Sequence, residues 1–315
     1  MNKLVVDKNG NGNFLTVTEA VNSIENGKEV EIFIKKGVYK EKIIVDKPNV
    51  KFVGEDVNET ILTYDDGALG IDPETGEPMG TFKTASVHIL PTAEGFSAYN
   101  ITFENSAGIG DVVGQAVALY LDCDKAIIKN CRLLARQDTL LTAPMHEDIT
   151  RNPEILNRQY FENCYIAGDV DFIFGGATAI FKDCEICGLD RNRELNGYYT
   201  AACTAKEIEF GYVFMDCKFT TDSAKKDTYY LGRPWREFAK TVLINCELGE
   251  QIHTDGFSKW KKFEERSETC YYAQYNSKGP NFVPEKVADW TYILNDEEAK
   301  IYTIENIFKS WNPTK

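Results

Sequence analysis

The chain has 315 residues, of which 43% are apolar, so it can bury a large core as one elongated domain or as two compact ones. Its 35 basic and 49 acidic residues give a formal charge of −14, and the basic residues are scattered along the chain. This balance argues against nucleic acid or an anionic membrane surface as the main partner.

The N-terminus and the cysteines bear on where the protein acts. Residues Met1 to Lys8 lack the apolar run of a signal peptide, and no stretch is long enough for a transmembrane helix. Nine cysteines are an odd number in a chain too long to need a disulfide framework, which favours reduced thiols. We therefore expect a cytoplasmic setting for the chain as it stands, or a secreted protein if a leader has been removed.

In chain order, the first predicted element is a short helix. Thr16 and Glu19 have the spacing of a capping box, in which each side chain bonds the other's backbone. One apolar face follows, formed by Val17, Ala20, Val21 and Ile24. We expect this helix to cover the first end of the fold.

A four-residue phrase then occurs seven times: Asn or Asp, a small apolar residue, any residue and a large apolar residue. The copies begin at Asn49, Asn100, Asn130, Asn163, Asp183, Asp216 and Asn245. Asn and Asp tolerate left-handed backbone, and the alternation after them is typical of a strand. The spacing predicts coils of a parallel β-solenoid with loops of variable length, because a doubly wound α/β fold needs long helical crossovers that are missing here.

Five cysteines occupy the second position of the phrase: Cys131, Cys164, Cys184, Cys217 and Cys246. We expect them to stack inside neighbouring coils as small buried hydrophobic residues. Cys184 and Cys187 form a CxxC pair, but a strand points them to opposite faces and no second pair follows, so we predict no zinc site.

Several familiar catalytic arrangements are absent. No serine lies in a Gly-x-Ser-x-Gly motif, and none of the three histidines lies in a metal or nucleophile motif, so a serine triad is not expected. The run from Gly108 to Gly114 lacks the spacing of a dinucleotide-binding motif, and we predict a loop there.

Polar residues among the predicted strands carry the candidate chemistry. They are Gln115, Gln137, Asp138, Asp171 and Arg233, with the aromatic Trp235 close to the last of them. Successive coils of a parallel solenoid stack about 4.8 Å apart, so residues distant in sequence can meet on one face. The interval from Gln115 to Gln137 is close to one coil, which predicts that these two residues are neighbours.

These residues permit a division of roles. Arg233 beside Asp171 should lower the pKa of that carboxyl and keep it ionised as a nucleophile. Asp138, close to this anion, should have a raised pKa and act as a general acid. The amides of Gln115 and Gln137 can donate hydrogen bonds to an oxyanion, each worth about 3 kcal/mol. The combination suits acyl transfer.

The last predicted element is a second helix. Asn295 and Glu298 repeat the capping-box spacing ahead of an apolar face formed by Ile301, Ile304, Ile307 and Phe308. We expect it to cover the second end, and no linker divides the chain into domains.

Five short motifs stand out along the chain. They are Gly37-Val38-Tyr39-Lys40-Glu41, Gln115-Ala116-Val117-Ala118-Leu119, Gln137-Asp138-Thr139-Leu140, Asp169-Val170-Asp171-Phe172-Ile173-Phe174-Gly175 and Leu231-Gly232-Arg233-Pro234-Trp235. With these motifs in this order, the chain resembles the pectin methylesterase (pectinesterase) family over nearly its whole length.

The resemblance implies an all-β fold, the right-handed parallel β-helix of the pectin-lyase type, with short capping helices at both ends and one catalytic domain over residues 1–315. It implies that Asp171 attacks the methyl ester of a galacturonate unit while Asp138 protonates departing methanol and later acts as base. Gln115 and Gln137 would form the oxyanion hole, and Arg233 would contact the nucleophile.

The resemblance also implies a substrate and contacts to it. Trp235 and Phe174 would be apolar surfaces for the sugar ring, in pectin or a methyl-esterified oligogalacturonide. No metal or organic cofactor, nucleic acid or membrane is implied, and we expect a monomer. The family often has Ser-Ala-Thr where this chain has Thr84-Ala85-Ser86, which makes Ser86 a candidate substrate contact. The segment Thr142 to Pro153 is longer than expected and would reshape one wall of the cleft.

Other functions of the same fold stay open at this stage. Another solenoid esterase, a thioesterase or a polygalacturonate-cleaving enzyme are the alternatives. The Asn-Thr-Asp and Gly-His-Gly motifs of polygalacturonases are absent, and glutamine-flanked acids suit a calcium-dependent lyase poorly. The acidic charge predicts weak retention of anionic product, and hence scattered rather than contiguous removal of methyl groups.

Overall fold

The structure, a computed structural model, describes residues 2–25, 27–144 and 156–315. Its contacts divide the chain into two compact units. Unit 1 comprises Met1–Leu141 and Asn163–Ala167, and unit 2 comprises Thr142–Glu162 and Gly168–Lys315.

The strands of unit 1 form three parallel sheets. Sheet 1A contains β1 (Asn2–Val6), β2 (Val30–Ile34), β5 (Val50–Gly54), β8 (Ser97–Tyr99) and β11 (Ala126–Lys129). Sheet 1B contains β3 (Gly37–Lys40), β6 (Thr60–Tyr64), β9 (Thr102–Asn105), β12 (Arg132–Leu134) and β15 (Tyr165–Gly168). Sheet 1C contains β4 (Ile43–Val45), β7 (Val87–Ile89), β10 (Leu119–Leu121) and β13 (Leu140–Thr142).

The strands of unit 2 repeat this arrangement. Sheet 2A contains β14 (Arg158–Glu162), β17 (Thr178–Lys182), β20 (Tyr212–Met215), β23 (Lys240–Ile244), β25 (Tyr271–Tyr275) and β26 (Tyr292–Ile293). Sheet 2B contains β18 (Glu185–Gly188), β21 (Lys218–Thr221) and β24 (Glu247–Leu248). Sheet 2C contains β16 (Val170–Gly175), β19 (Gly197–Ala202) and β22 (Tyr229–Gly232).

The chain visits the three sheets of a unit in turn, so each strand pairs in parallel with the strand one coil away. Crossovers between parallel strands are right-handed as a rule. Both units therefore have the fold of a right-handed parallel β-helix, and the predicted fold class is confirmed.

The repeated phrase marks the corners of the coils. All seven of its first residues have left-handed backbone, with φ between 53° and 57°. Six of them lie between an A strand and a B strand, whereas Asn49 lies between β4 and β5, at the corner from a C strand to an A strand. The turn prediction is confirmed, and the first copy marks a different corner from the others.

The five cysteines of the phrase are buried, as expected. Four of the thiols face a carbonyl oxygen of the preceding coil: Cys131 Sγ lies 3.6 Å from Ala98 O and Cys217 Sγ lies 3.2 Å from Phe181 O, and Cys164 and Cys246 make like contacts. The thiol of Cys184 faces Lys182 O of its own coil. Next to this stack in unit 2, the ring of Phe181 stacks on those of Phe161 and Phe214, each at 4.6 Å. Residues of the same type, cysteine or phenylalanine, thus stack from one coil to the next within the core.

The N-terminal helix is present as predicted. Helix α1 (Val17–Asn22) has both bonds of the capping box between Thr16 and Glu19. Its apolar residues Val17, Ala20 and Val21 are buried, as is Ile24 just beyond its end. It packs against β1 and β4, the first coil of unit 1. The run from Gly108 to Gly114, predicted as a loop, contains one helical turn, α2 (Gly110–Val113), because three consecutive amide groups bond back to Ile109 and Gly110.

The second predicted helix forms as two short ones. The capping box of Asn295 and Glu298 begins α3 (Asp296–Ala299), and Thr303 caps a separate helix, α4 (Ile304–Phe308). Because the chain turns between them, Ile301 is exposed, while Ile307 and Phe308 are buried against β17 and Tyr160. Among the described residues, the longest helix has six residues, too short to cross a bilayer.

Candidate active site

The backbone around Asp171 breaks the regular register of its sheet. In the pairing of β16 with β19, Val170 lies opposite Tyr198 and Ile173 lies opposite Thr200, so Asp171 and Phe172 share one partner position. Asp171 also has a left-handed φ of 50°. This β-bulge is a device that reorients a side chain, and here it turns the carboxylate of Asp171 away from the alternation of the strand.

Arg233 holds this carboxylate with two hydrogen bonds. Its Nε donates to Asp171 Oδ1 at 3.0 Å and its Nη2 donates to Asp171 Oδ2 at 2.6 Å. The backbone before the arginine passes close to Thr200, and only glycine fits there, because a Cβ on Gly232 would lie 1.9 Å from Thr200 Oγ1. The amide of Arg233 itself donates a hydrogen bond to Thr200 O. The predicted pairing of Arg233 with Asp171 is confirmed.

Two aromatic rings enclose the guanidinium group. Its central carbon lies 3.8 Å from the ring centre of Tyr198 and 4.0 Å from that of Trp260. Neither residue was predicted as part of the site, because neither lies in a matching motif. The one available signal was a tryptophan, among only four in the chain, within the basic run Lys259-Trp260-Lys261-Lys262.

The electrostatic prediction for Asp171 was wrong in its direction. Burial raises the pKa of Asp171 above the ordinary value for an aspartate, and it outweighs the hydrogen bonds and the charge of Arg233, which act to lower the pKa. The sequence places a cation beside the acid, but it does not tell how completely the pair is removed from water. Asp171 is only 8% exposed.

The aromatic residues predicted as sugar-binding surfaces meet in unit 2. The rings of Phe174 and Trp235 are 5.8 Å apart and packed edge to face. Phe174 is 3% exposed, whereas Trp235 is half-buried and offers the larger accessible surface. Asp169, the first acid of the motif, is buried, accepts a hydrogen bond from Val170 N and forms an ion pair with Arg191, whose Nε lies 4.0 Å from Asp169 Oδ2.

In unit 1, Gln115 and Gln137 are neighbours on successive coils, as their spacing predicted. The amide of Ala116 donates to Gln137 O at 3.1 Å, and both glutamines are half-buried. Gln137 packs against the backbone of α2, where a Cβ on Gly110 would lie 2.4 Å from Gln137 Oε1. Asp138 is 8% exposed and has left-handed backbone with φ of 66°, like Asp171.

A buried amide organises the backbone beside Gln115. Asn105 Nδ2 donates to the carbonyl oxygens of Asp66, Thr84 and Val117, at 3.0, 3.0 and 3.1 Å. Asn105 ends β9 and lies in no motif, so it was not among the predicted residues. Ser86 is fully buried, and its hydroxyl has no hydrogen-bond partner among the described residues, so its contact with substrate stays a prediction.

Two further expectations concern the long segment at the cleft wall and the lack of a metal site. Most of the segment Thr142 to Pro153, expected to reshape the cleft wall, lies in residues 145–155, outside the described residues. Over the ranges that the structure describes, no three His, Cys, Asp or Glu side chains are grouped as metal ligands.

Comparisons with known proteins agree on one family. The family model described as Pectinesterase matches residues 3–310. The chain is similar to pectinesterase QRT1 of Arabidopsis thaliana, with 35% identity over 94% of this chain and 74% of that protein. It is 33% identical to a probable pectinesterase/pectinesterase inhibitor 64 of the same plant, covering 98% of this chain and 51% of that protein. The chain thus spans about half the length of that relative.

The structural comparison points the same way. A crystal structure of a pectin methylesterase in complex with a hexasaccharide has a TM-score of 0.83 and 26% identity, and the match covers 100% of this chain and 99% of that one.

Proposed function

Because the chain belongs to the pectinesterase family, we propose that it is a pectin methylesterase, a carboxylic ester hydrolase that releases methanol from methyl-esterified galacturonate units. The observation that carries the proposal is the pair of hydrogen bonds from Arg233 to Asp171 on a bulged strand. A carboxylate held in this way, by an arginine that Tyr198 and Trp260 enclose, suits nucleophilic attack on an ester.

The proposed reaction has two steps. A carboxylate oxygen of Asp171 bonds to the ester carbonyl carbon, the bond from that carbon to the methoxy oxygen breaks, and Asp138 gives its proton to the departing methanol. The result is an acyl-enzyme anhydride. Asp138 then takes a proton from water, which attacks the anhydride and frees Asp171.

Other predicted residues would support this chemistry. Gln115 and Gln137 would donate hydrogen bonds to the oxyanion that forms in each step. Trp235, Phe174 and Ser86 would contact the sugar. Their roles come from the family resemblance, and the adjacency of the two glutamines supports the first of them.

The proposed substrate is pectin or a methyl-esterified oligogalacturonide, in line with the hexasaccharide bound by the similar methylesterase. We also propose that the two units belong to one catalytic domain that acts as a monomer. The family model, which runs through both units, supports the first part of this proposal.

Methanol release from methylated pectin tests the proposed function. Wild type should release methanol without new reducing ends or unsaturated products, whereas Asp171→Ala and Asp171→Asn should release methanol at least a thousandfold more slowly. Asp289→Ala, at an exposed aspartate, is the control, and circular dichroism should show that each variant is folded. Equal release from Asp171→Asn and wild type would refute the mechanism, and reducing ends would indicate a chain-cleaving enzyme.

A further inference from the structure

Helix α2 of unit 1 packs directly against the side chain of Gln137. A Cβ built on Gly110, the first residue of this helix, would overlap Gln137 Oε1 and would lie 2.9 Å from Gln137 Cβ. Real Cβ atoms do not approach other atoms so closely. No residue larger than glycine therefore fits at position 110 unless the helix or the side chain of Gln137 moves.

The backbone itself does not call for glycine at this position. Gly108 and Gly114, on either side of the helix, have positive φ values of 120° and 76°, which favour glycine, whereas Gly110 lies outside that region. Within a helix, glycine is less favourable than any residue other than proline. The contact with Gln137 is therefore the reason that only glycine fits at position 110.

The opposite end of α2 is fixed by a second segment. Leu69 N donates to Val113 O at 3.0 Å, and a Cβ on Gly67 would lie 2.5 Å from the same oxygen. One residue along, Ala68 N donates to Gln115 O at 2.8 Å. The helix is thus tied to the backbone beside the first glutamine while it packs on the second, so a methyl group added at Gly110 would displace the side chain of Gln137.

Gln137 depends on this contact for its orientation. Over the ranges that the structure describes, its side-chain amide forms no hydrogen bond with another protein group, and the residue is half-buried. A glutamine side chain has three rotatable bonds, and an oxyanion donor is effective only when its orientation is set before the reaction. With Oε1 against α2, the Nε2 group at the other end of the amide is left to donate.

We propose that Gly110 is a positioning residue. Because it has no side chain, α2 can close on Gln137 and hold its amide in one orientation for the oxyanion. This inference rests on the proposed function, since the oxyanion is the one formed in the proposed reaction. Gly110 itself touches neither substrate nor reacting atoms, and its effect on the rate passes entirely through Gln137.

The separate effects on kcat and KM test the proposal. We expect Gly110→Ala to lower kcat by about tenfold to a hundredfold with KM within about twofold of wild type, because an oxyanion donor acts in the transition state. Its melting temperature should not fall, since alanine favours the helix. Val112→Ala, in the same helix at a residue that is 67% exposed, is the control. An unchanged kcat, a loss carried by KM or an equal loss in the control would overturn the proposal.

Two further backgrounds show whether the effect passes through Gln137. In Gln137→Ala the contact is already gone, so adding Gly110→Ala should lower kcat by less than about twofold more. In Gln115→Ala the contact remains, and Gly110→Ala should keep its full effect. Equal losses in the two backgrounds would overturn the proposal.

A measurement without turnover separates this inference from the proposed function. Nitrogen–proton correlation spectra show the side-chain amide signals of Gln137, which are identified by their loss in Gln137→Ala. We expect Gly110→Ala to move these signals and to leave those of Gln115 in place, whereas Val112→Ala should move neither. Unmoved Gln137 signals would overturn the inference even if methanol release is confirmed. Moved signals, in a protein whose wild type releases no methanol, would refute only the proposed function.

Discussion

Asp171 and Arg233 are 62 residues apart in the chain, and two hydrogen bonds join them where β16 bulges. Burial of the pair raises the pKa of Asp171, although the arginine acts against this rise. Within the described ranges of the chain, Arg233 is the one hydrogen-bond partner of this carboxylate, and its removal has consequences for stability and for the pH dependence of activity.

Removal of the arginine should destabilise the fold. In Arg233→Met, the buried carboxylate loses its counter-charge, and we expect the free energy of unfolding at pH 7 to fall by about 3 to 5 kcal/mol. Urea denaturation measures this change. The double variant Asp171→Asn, Arg233→Met should regain part of the loss, because no buried charge is left unpaired. A double variant less stable than Arg233→Met would contradict the explanation.

The pH dependence of activity should follow the raised pKa of Asp171. The nucleophile must be ionised, so kcat/KM should increase with pH through a limb centred above pH 3.8, the ordinary value for an aspartate. Arg233→Gln should move this limb to higher pH, since the cation that favours ionisation is lost. Rate profiles of both proteins measure the shift, and a limb at lower pH in the variant would contradict it.

The raised pKa of Asp171 also makes stability depend on pH, but stability falls with rising pH where activity rises. The stabilisation that Asp171 gives to the folded state is fully present below pH 3.8, and it is lost as the pH rises through the folded-state pKa. Asp171→Asn should therefore be stabilised relative to wild type more at pH 7 than at pH 3.5. Urea denaturation at the two pH values checks the sign.

Gly232 should tolerate no side chain. A Cβ there would lie 1.9 Å from Thr200 Oγ1 and 2.8 Å from Thr200 O, so Gly232→Ala must displace the start of the Arg233 segment. We expect kcat to fall about a hundredfold, as for misplacements of about 1 Å. Gly232→Ala combined with Thr200→Ala removes the closer contact and should recover part of the activity. Full activity in Gly232→Ala alone would show that the strand adjusts freely.

Asn105 should stabilise the backbone beside Gln115. Its amide donates three hydrogen bonds to carbonyl oxygens, and Asn105→Ala should lower the free energy of unfolding by about 2 to 4 kcal/mol. Thermal or urea denaturation measures the loss, with Asn9→Ala at an exposed position as the control. A loss no larger than that of the control would refute the role.

The scaffold was largely predictable because its signals are local. Asn and Asp at the corners adopt left-handed backbone through their own side chains, so the phrase that begins at Asn100 indicates its turn without knowledge of the rest of the chain. The pairing of Asp171 with Arg233 was predictable from motifs. The boundary between α3 and α4 was not, since Thr303 interrupts an apolar pattern that is compatible with one helix.

The details of the site depend on tertiary structure and could not be inferred in the same way. The bulge at Asp171 and Phe172 leaves no mark in the sequence, because it is defined by the register with β19. Trp260 reaches Arg233 from a loop that matches no motif. The direction of the pKa of Asp171 follows from how much water the surrounding residues exclude, which neighbouring sequence does not reveal.

The corner asparagines and aspartates also separate the parts of the fold that can change from those that cannot. At the six A-to-B corners that carry the phrase the strands are joined by two residues, whereas the connections to and from the C strands range from one residue, after β15, to 22 residues, after β6. Insertions can therefore accumulate next to sheets 1C and 2C without altering the rise from one coil to the next. Descendants of such a chain could acquire new substrate preferences by lengthening these connections while the rest of each coil is inherited intact.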